Sequence, residues 1–87
     1  MKRNYQLTEK HFEFVDGKWV LIRPESIEVV NHEYYQNCIS KETIKFFRAL
    51  GGKEDLIRKG GKVILTSINP DGMMKTVRTF ETLNCED

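Results

Sequence analysis

Bond-making chemistry in this chain would have to come from two histidines, His11 and His32, two cysteines, Cys38 and Cys85, and three serines, Ser26, Ser40 and Ser67. A metal centre needs ligands that one loop or helix can present together, and the nearest two, His32 and Cys38, are six positions apart. No metal site and no cofactor are expected. The cysteines lie 47 positions apart with no CxxC, which points to two reduced thiols, with a Cys38–Cys85 disulfide as the alternative. A catalytic nucleophile needs a neighbouring, oriented base; there is no G-x-S-x-G elbow, and the serines read as turn, cap and strand positions. The adjacent acids Glu54-Asp55 and Glu86-Asp87 fall at a helix start and a chain tail, not in two differently tuned surroundings. The expectation is a protein that is not an enzyme.

Binding chemistry is better represented. Between Ser40 and Lys62 the chain carries seven basic side chains, Lys41, Lys45, Arg48, Lys53, Arg58, Lys59 and Lys62, and two glycine pairs. The glycines do not make a phosphate-binding loop, since Lys62 is followed by Val63 where that motif requires Ser or Thr. They read as stops to helical segments. Lys41, Lys45 and Arg48 share one narrow helix stripe that the other four extend, a pattern suited to salt-sensitive, sequence-blind contact with nucleic-acid phosphates. An exposed aromatic platform for bases is missing from this reading, because Phe12, Phe14 and Trp19 are expected in the core. Tyr34 and Tyr35 are the candidates to anchor a protein partner, tyrosine being enriched at the energetic centres of interfaces.

Charge is unevenly spread. Residues 1–40 carry five positive and six negative groups, 41–79 nine and four, and 80–87 none and three, for a net +1. The balance is too even for a dedicated nucleic-acid domain and excludes a strongly acidic nucleic-acid mimic. No apolar run approaches the roughly 18 residues of a membrane span, and the start, MKRNYQLTEK, lacks the apolar region of a secretion signal. A cytoplasmic protein without membrane contact is expected.

These residues must be positioned by one small domain spanning residues 1–87, with 83–87 a frayed tail, because this length holds a single core. Asp16-Gly17 between two β-prone runs predicts a two-residue hairpin that sets Phe14 opposite Trp19 and Phe12 opposite Leu21. Asn69-Pro70-Asp71-Gly72 predicts a second hairpin with a three-residue loop, pairing Leu65 with Val77, Ile68 with Met74 and Ile64 with Arg78. Between them Ser40 caps an amphipathic helix whose apolar arc, Ile44, Phe46, Phe47 and Leu50, faces the core, and Gly51 ends it. A further helical turn is expected in KEDLIRKGG, and Ser26–Val30 reads as a strand followed by a turn or short helix to Tyr35. The order is β-β-β-α-β-β, an α+β chain of about five strands in a single open sheet or a small OB-like barrel.

Size, a single domain and missing catalytic motifs fit the small accessory or inhibitor proteins carried by phages and mobile elements, anti-CRISPR proteins among them. The expected function is a non-enzymatic protein-binding module, with homo-oligomerisation open. The alternative is a nucleic-acid-binding module using the basic helix face.

Overall fold

The structure, a computed structural model, describes residues 3–83. Eight elements follow in the order β1 (Asn4–Val15), β2 (Lys18–Leu21), β3 (Ser26–Asn31), α1 (His32–Ile39), α2 (Lys41–Ala49), β4 (Lys53–Lys59), β5 (Lys62–Ile68) and β6 (Met74–Thr82). The strands form one antiparallel sheet ordered β2-β1-β6-β5-β4, with β3 also on β1. This is an α+β protein with an open sheet, and it has six strands where about five were expected.

β1 organises the sheet. One edge pairs with β6 from Tyr5↔Thr82 to Glu13↔Met74; the other is shared by β2 at Phe12–Val15 and β3 at Asn4–Glu9. Two residues of β1 separate Glu9 from Phe12, but four, Ile22 to Glu25, separate their partners Leu21 and Ser26. β2 and β3 are therefore one edge strand broken by a local excess that contains Pro24, whose missing N–H suits an edge.

The Asp16-Gly17 hairpin forms in the expected register, with φ of 50° and 79° at the two turn residues. The second hairpin shifts by one: Leu65 faces Arg78, Ile64 faces Thr79 and Ile68 faces Lys75. Met73 joins the loop, its N–H bonding the Asp71 carboxylate at 2.9 Å, and Asn69 N–H closes the ladder on the Met74 carbonyl at 2.9 Å. A one-residue slip exchanges the faces of a strand, so Phe80 and Arg78 turn towards the helices.

The segment expected as a second helical turn is strand β4, and Gly60-Gly61, with φ of 55° and 78°, is a two-residue hairpin turn rather than a helix stop. KEDLIRK fits both periods. Seven cross-strand pairs with β5, from Lys53↔Ile68 to Lys59↔Lys62, favour the strand.

Asn31 caps α1 by accepting the Tyr34 N–H at 2.8 Å, and Ser40 caps α2 by accepting that of Thr43 at 3.1 Å. Only Ser40 lies between the helices. The core lies between α1 and the sheet: Tyr35 stacks on Tyr5 at 4.1 Å and meets Phe80 edge-on at 5.2 Å, with Leu7 and Val63 completing the cluster. The expected apolar arc of α2 is not core, since the helix has no buried residue and Phe46 is 68% exposed. Phe47 instead lies over Gly52, where an added Cβ would come within 2.3 Å of its ring.

Candidate functional site

Side chains alternate across a strand, so the register assigns each to a face. Tyr5, Leu7, Val63, Leu65 and Phe80 point to the helix side and are buried. Their neighbours of opposite parity form a face that carries no helix. One row crosses the whole sheet there, Ile27–Thr8–Thr79–Ile64–Ile57, and the next contains Val77 and Thr66. Ile27 and Val29 are both 63% exposed. A one-sided antiparallel sheet ordinarily turns polar residues to water; this one turns a mixed face in which three isoleucines and two threonines form one row and Lys10 and Asp55 flank Val77 and Thr66 in the next.

At the hairpin end of the same face Phe12, Phe14, Trp19 and Leu21 gather, with Phe14 and Trp19 edge-to-face at 5.2 Å. Phe12, Phe14 and Trp19 were expected in the core. The core lies at the other end of β1, under α1, and these rings are half-buried or exposed on the helix-free face. The Lys75 ammonium stands 5.0 Å from the Phe12 ring centre and 4.7 Å from that of Trp19. Lysines rim the face: Lys10, Lys53, Lys59, Lys62 and Lys75 share its parity, against Asp55 and Glu81.

The chain matches no protein-family model, no curated protein and no solved structure.

The seven basic residues of the 40–62 stretch separate into groups. Lys41, Lys45 and Arg48 line a shallow groove of about 370 Å³ with Ile44. Arg48 also donates to the Glu54 carbonyl at 2.8 Å, which ties the end of α2 to β4. Arg58, Lys59 and Lys62 line a different groove, of about 460 Å³, together with Arg3, His32 and the Tyr5–Tyr35 pair. Lys53 lies on β4, outside the lining of both. Of the two tyrosines singled out, Tyr35 is 7% exposed and belongs to the core, which removes its ring from the surface, while Tyr34 is 42% exposed.

The remaining polar groups are quiet. Cys38 is half-buried, and burial pushes its thiol above the ordinary value, with the Arg78 charge opposing; such a thiol is a poor nucleophile. The expected alternative of a Cys38–Cys85 bond lies outside the described residues, as does most of the expected frayed tail. His32 is held by the Tyr5 hydroxyl at 2.8 Å on Nδ1 and by Gln36 at 3.2 Å on Nε2. His11 meets the Thr76 hydroxyl at 3.3 Å. Cys38 is absent from the lining of the groove that holds His32.

Sequence reasoning missed the isoleucine row because Ile57 was assigned to a helix, and it missed Arg3, Tyr5 and His32 as groove residues because only tertiary structure brings them to the β4–β5 turn. Ile27 and Val29 carried a usable signal: both share a strand face with each other, opposite the face of Val30.

Proposed function

We propose that this protein is a non-enzymatic binding module that docks on another protein through the helix-free face of its sheet. The row Ile27–Thr8–Thr79–Ile64–Ile57 carries this reading, since it sets three isoleucines and two threonines from five strands on a face that no helix covers, with Ile27 and Ile57 exposed at its ends. Patches of this kind, rimmed by polar residues, mark interaction sites. The molecule measures 49 × 29 × 19 Å, so the broad face can supply the about 800 Å² per partner of a standard interface. Five lysines against two carboxylates on that face favour a partner with an acidic rim and oppose the pairing of two copies, which would set like charges together.

Nucleic-acid binding is supported by the same lysines and the Phe12, Phe14, Trp19 cluster. It is second because the Lys75 ammonium already covers two of those rings and the isoleucine row offers nothing for bases to stack on.

The full-length chain, an Ile27→Glu/Ile57→Glu variant and a Lys41→Glu/Lys45→Glu control separate the two by quantitative affinity capture from host cells. The expected result is a stoichiometric protein partner held by the wild type and the control and weakened at least about tenfold by the isoleucine changes. Capture that is indifferent to Ile27→Glu/Ile57→Glu overturns the docking reading. A gel shift on generic DNA or RNA that falls steeply with salt and is lost in a Lys10→Glu/Lys75→Glu variant would establish the nucleic-acid alternative instead.

A further inference from the structure

The groove at the β4–β5 turn adjoins the docking face, whose parity Lys59 and Lys62 share, but its other lining residues lie apart from the isoleucine row. Five elements and the residue before β1 meet there: Arg3 precedes β1, Tyr5 lies in β1, His32 opens α1, Arg58 and Lys59 end β4, Lys62 begins β5, and Thr82 ends β6. Among the described residues its lining includes four permanently charged cations and no carboxylate. Among the described residues the only ion pairs are Arg78–Glu9 and Lys62–Glu81, the latter at 3.8 Å between half-exposed side chains, so Arg3, Arg58 and Lys59 are not offset by any carboxylate described.

The register makes the arrangement costly to the chain alone. Lys59 lies directly across the ladder from Lys62, and like charges at opposed positions destabilise a strand pair. The intervening Gly60-Gly61 turn puts no side chain between the cations, which leaves the space over the turn open. The floor is set firmly: Tyr5 and Tyr35 stack within the core, and the Tyr5 hydroxyl fixes the His32 ring.

We propose that this groove is a binding site for a small phosphate-bearing anion of nucleotide size. About 460 Å³ lies within the volume range of small-molecule sites. Two guanidinium groups match phosphate oxygens with paired N–H donors, and the two lysines add point charge. An anion between Lys59 and Lys62 turns their mutual repulsion into two attractions. Tyr5 and Tyr35 are buried at 5% and 7% exposure and leave little ring surface for a base, so the cations carry the recognition and phosphate is the group recognised.

The experiment is an amide NMR titration of the full-length chain with inorganic pyrophosphate and, separately, with ADP. Saturable shifts of Gly60, Gly61 and His32 are expected, with Arg58→Ala and Lys59→Ala each weakening binding about tenfold. Lys41→Glu/Lys45→Glu should bind as the wild type does. Equal affinity for the two ligands identifies phosphate as the whole ligand, and tighter ADP binding identifies a nucleotide. No saturation by about 10 mM, unchanged binding by an Arg58→Ala/Lys59→Ala variant, or equal shifts at Lys41, Lys45 and Arg48 would each overturn the proposal. Because the docking test uses other residues, either can fail without the other.

Discussion

Glu54 is a side chain whose surroundings oppose its charge. Burial raises its pKa above the ordinary carboxylate value, and the Ser67 hydroxyl, donating at 3.0 Å, pulls it part-way back together with Arg78 and Arg48. An acid with a raised folded-state pKa binds more protons folded than unfolded across the interval between the two values, so its contribution is favourable below the unfolded value and is lost as pH rises through the folded one. Glu54→Gln keeps an oxygen for Ser67 and removes the charge. Denaturant unfolding of wild type and variant across about pH 4 to 7 should give a stability difference that grows in the variant's favour as pH rises and then levels. A difference that is flat with pH would show that Glu54 carries no such penalty. Glu9 pairs with Arg78 at 2.9 Å on the helix side of the sheet.

At the scale of elements, α2 has the pattern of a core helix without the burial of one. Its apolar arc was plain in KETIKFFRAL, yet α2 packs beside α1 and the start of β4 and leaves Phe46 and Leu50 exposed. Phe46→Ala should therefore change stability by no more than about 0.5 kcal/mol, as at ordinary surface positions, whereas Phe47→Ala should cost several times that, since its ring lies over Gly52. Thermal unfolding of the two variants makes the comparison, and equal losses would show that α2 buries both rings. Turn chemistry at Asp16-Gly17 was enough to read the first hairpin pair by pair. The second hairpin and β4 were not readable in the same way: one more residue fits the Pro70 loop, and KEDLIRK suits a helix until β5 supplies a ladder.

For the whole molecule, the consequence of the fold is a small core and a large unpartnered face. The buried hydrophobic residues are few, Tyr5, Leu7, Tyr35, Val63, Leu65 and Phe80 among those described, while Ile27, Val29, Ile57 and Leu21 remain in contact with water. A partner that covers the face binds only the folded chain, so stability should climb with partner concentration, by about 2.7 kcal/mol at a hundred times Kd. Melting of the complex across a partner titration measures this. A midpoint that does not move, or that still moves in the Ile27→Glu/Ile57→Glu variant, would place the partner elsewhere. What the sequence by itself determined is local: the class of fold, the Asp16-Gly17 register, the Asn31-side strand, the Ser40 cap and the lack of motifs for metal or covalent chemistry all rest on residues near one another in the chain. Only the tertiary structure decided which half of β1 is core, that Tyr35 lies inside while Phe14 lies outside, and that seven cations divide between two grooves and β4. Those outcomes depend on which face the helices cover and on pairings between residues tens of positions apart, and alternation along a strand has no means of saying which of its two faces will be covered.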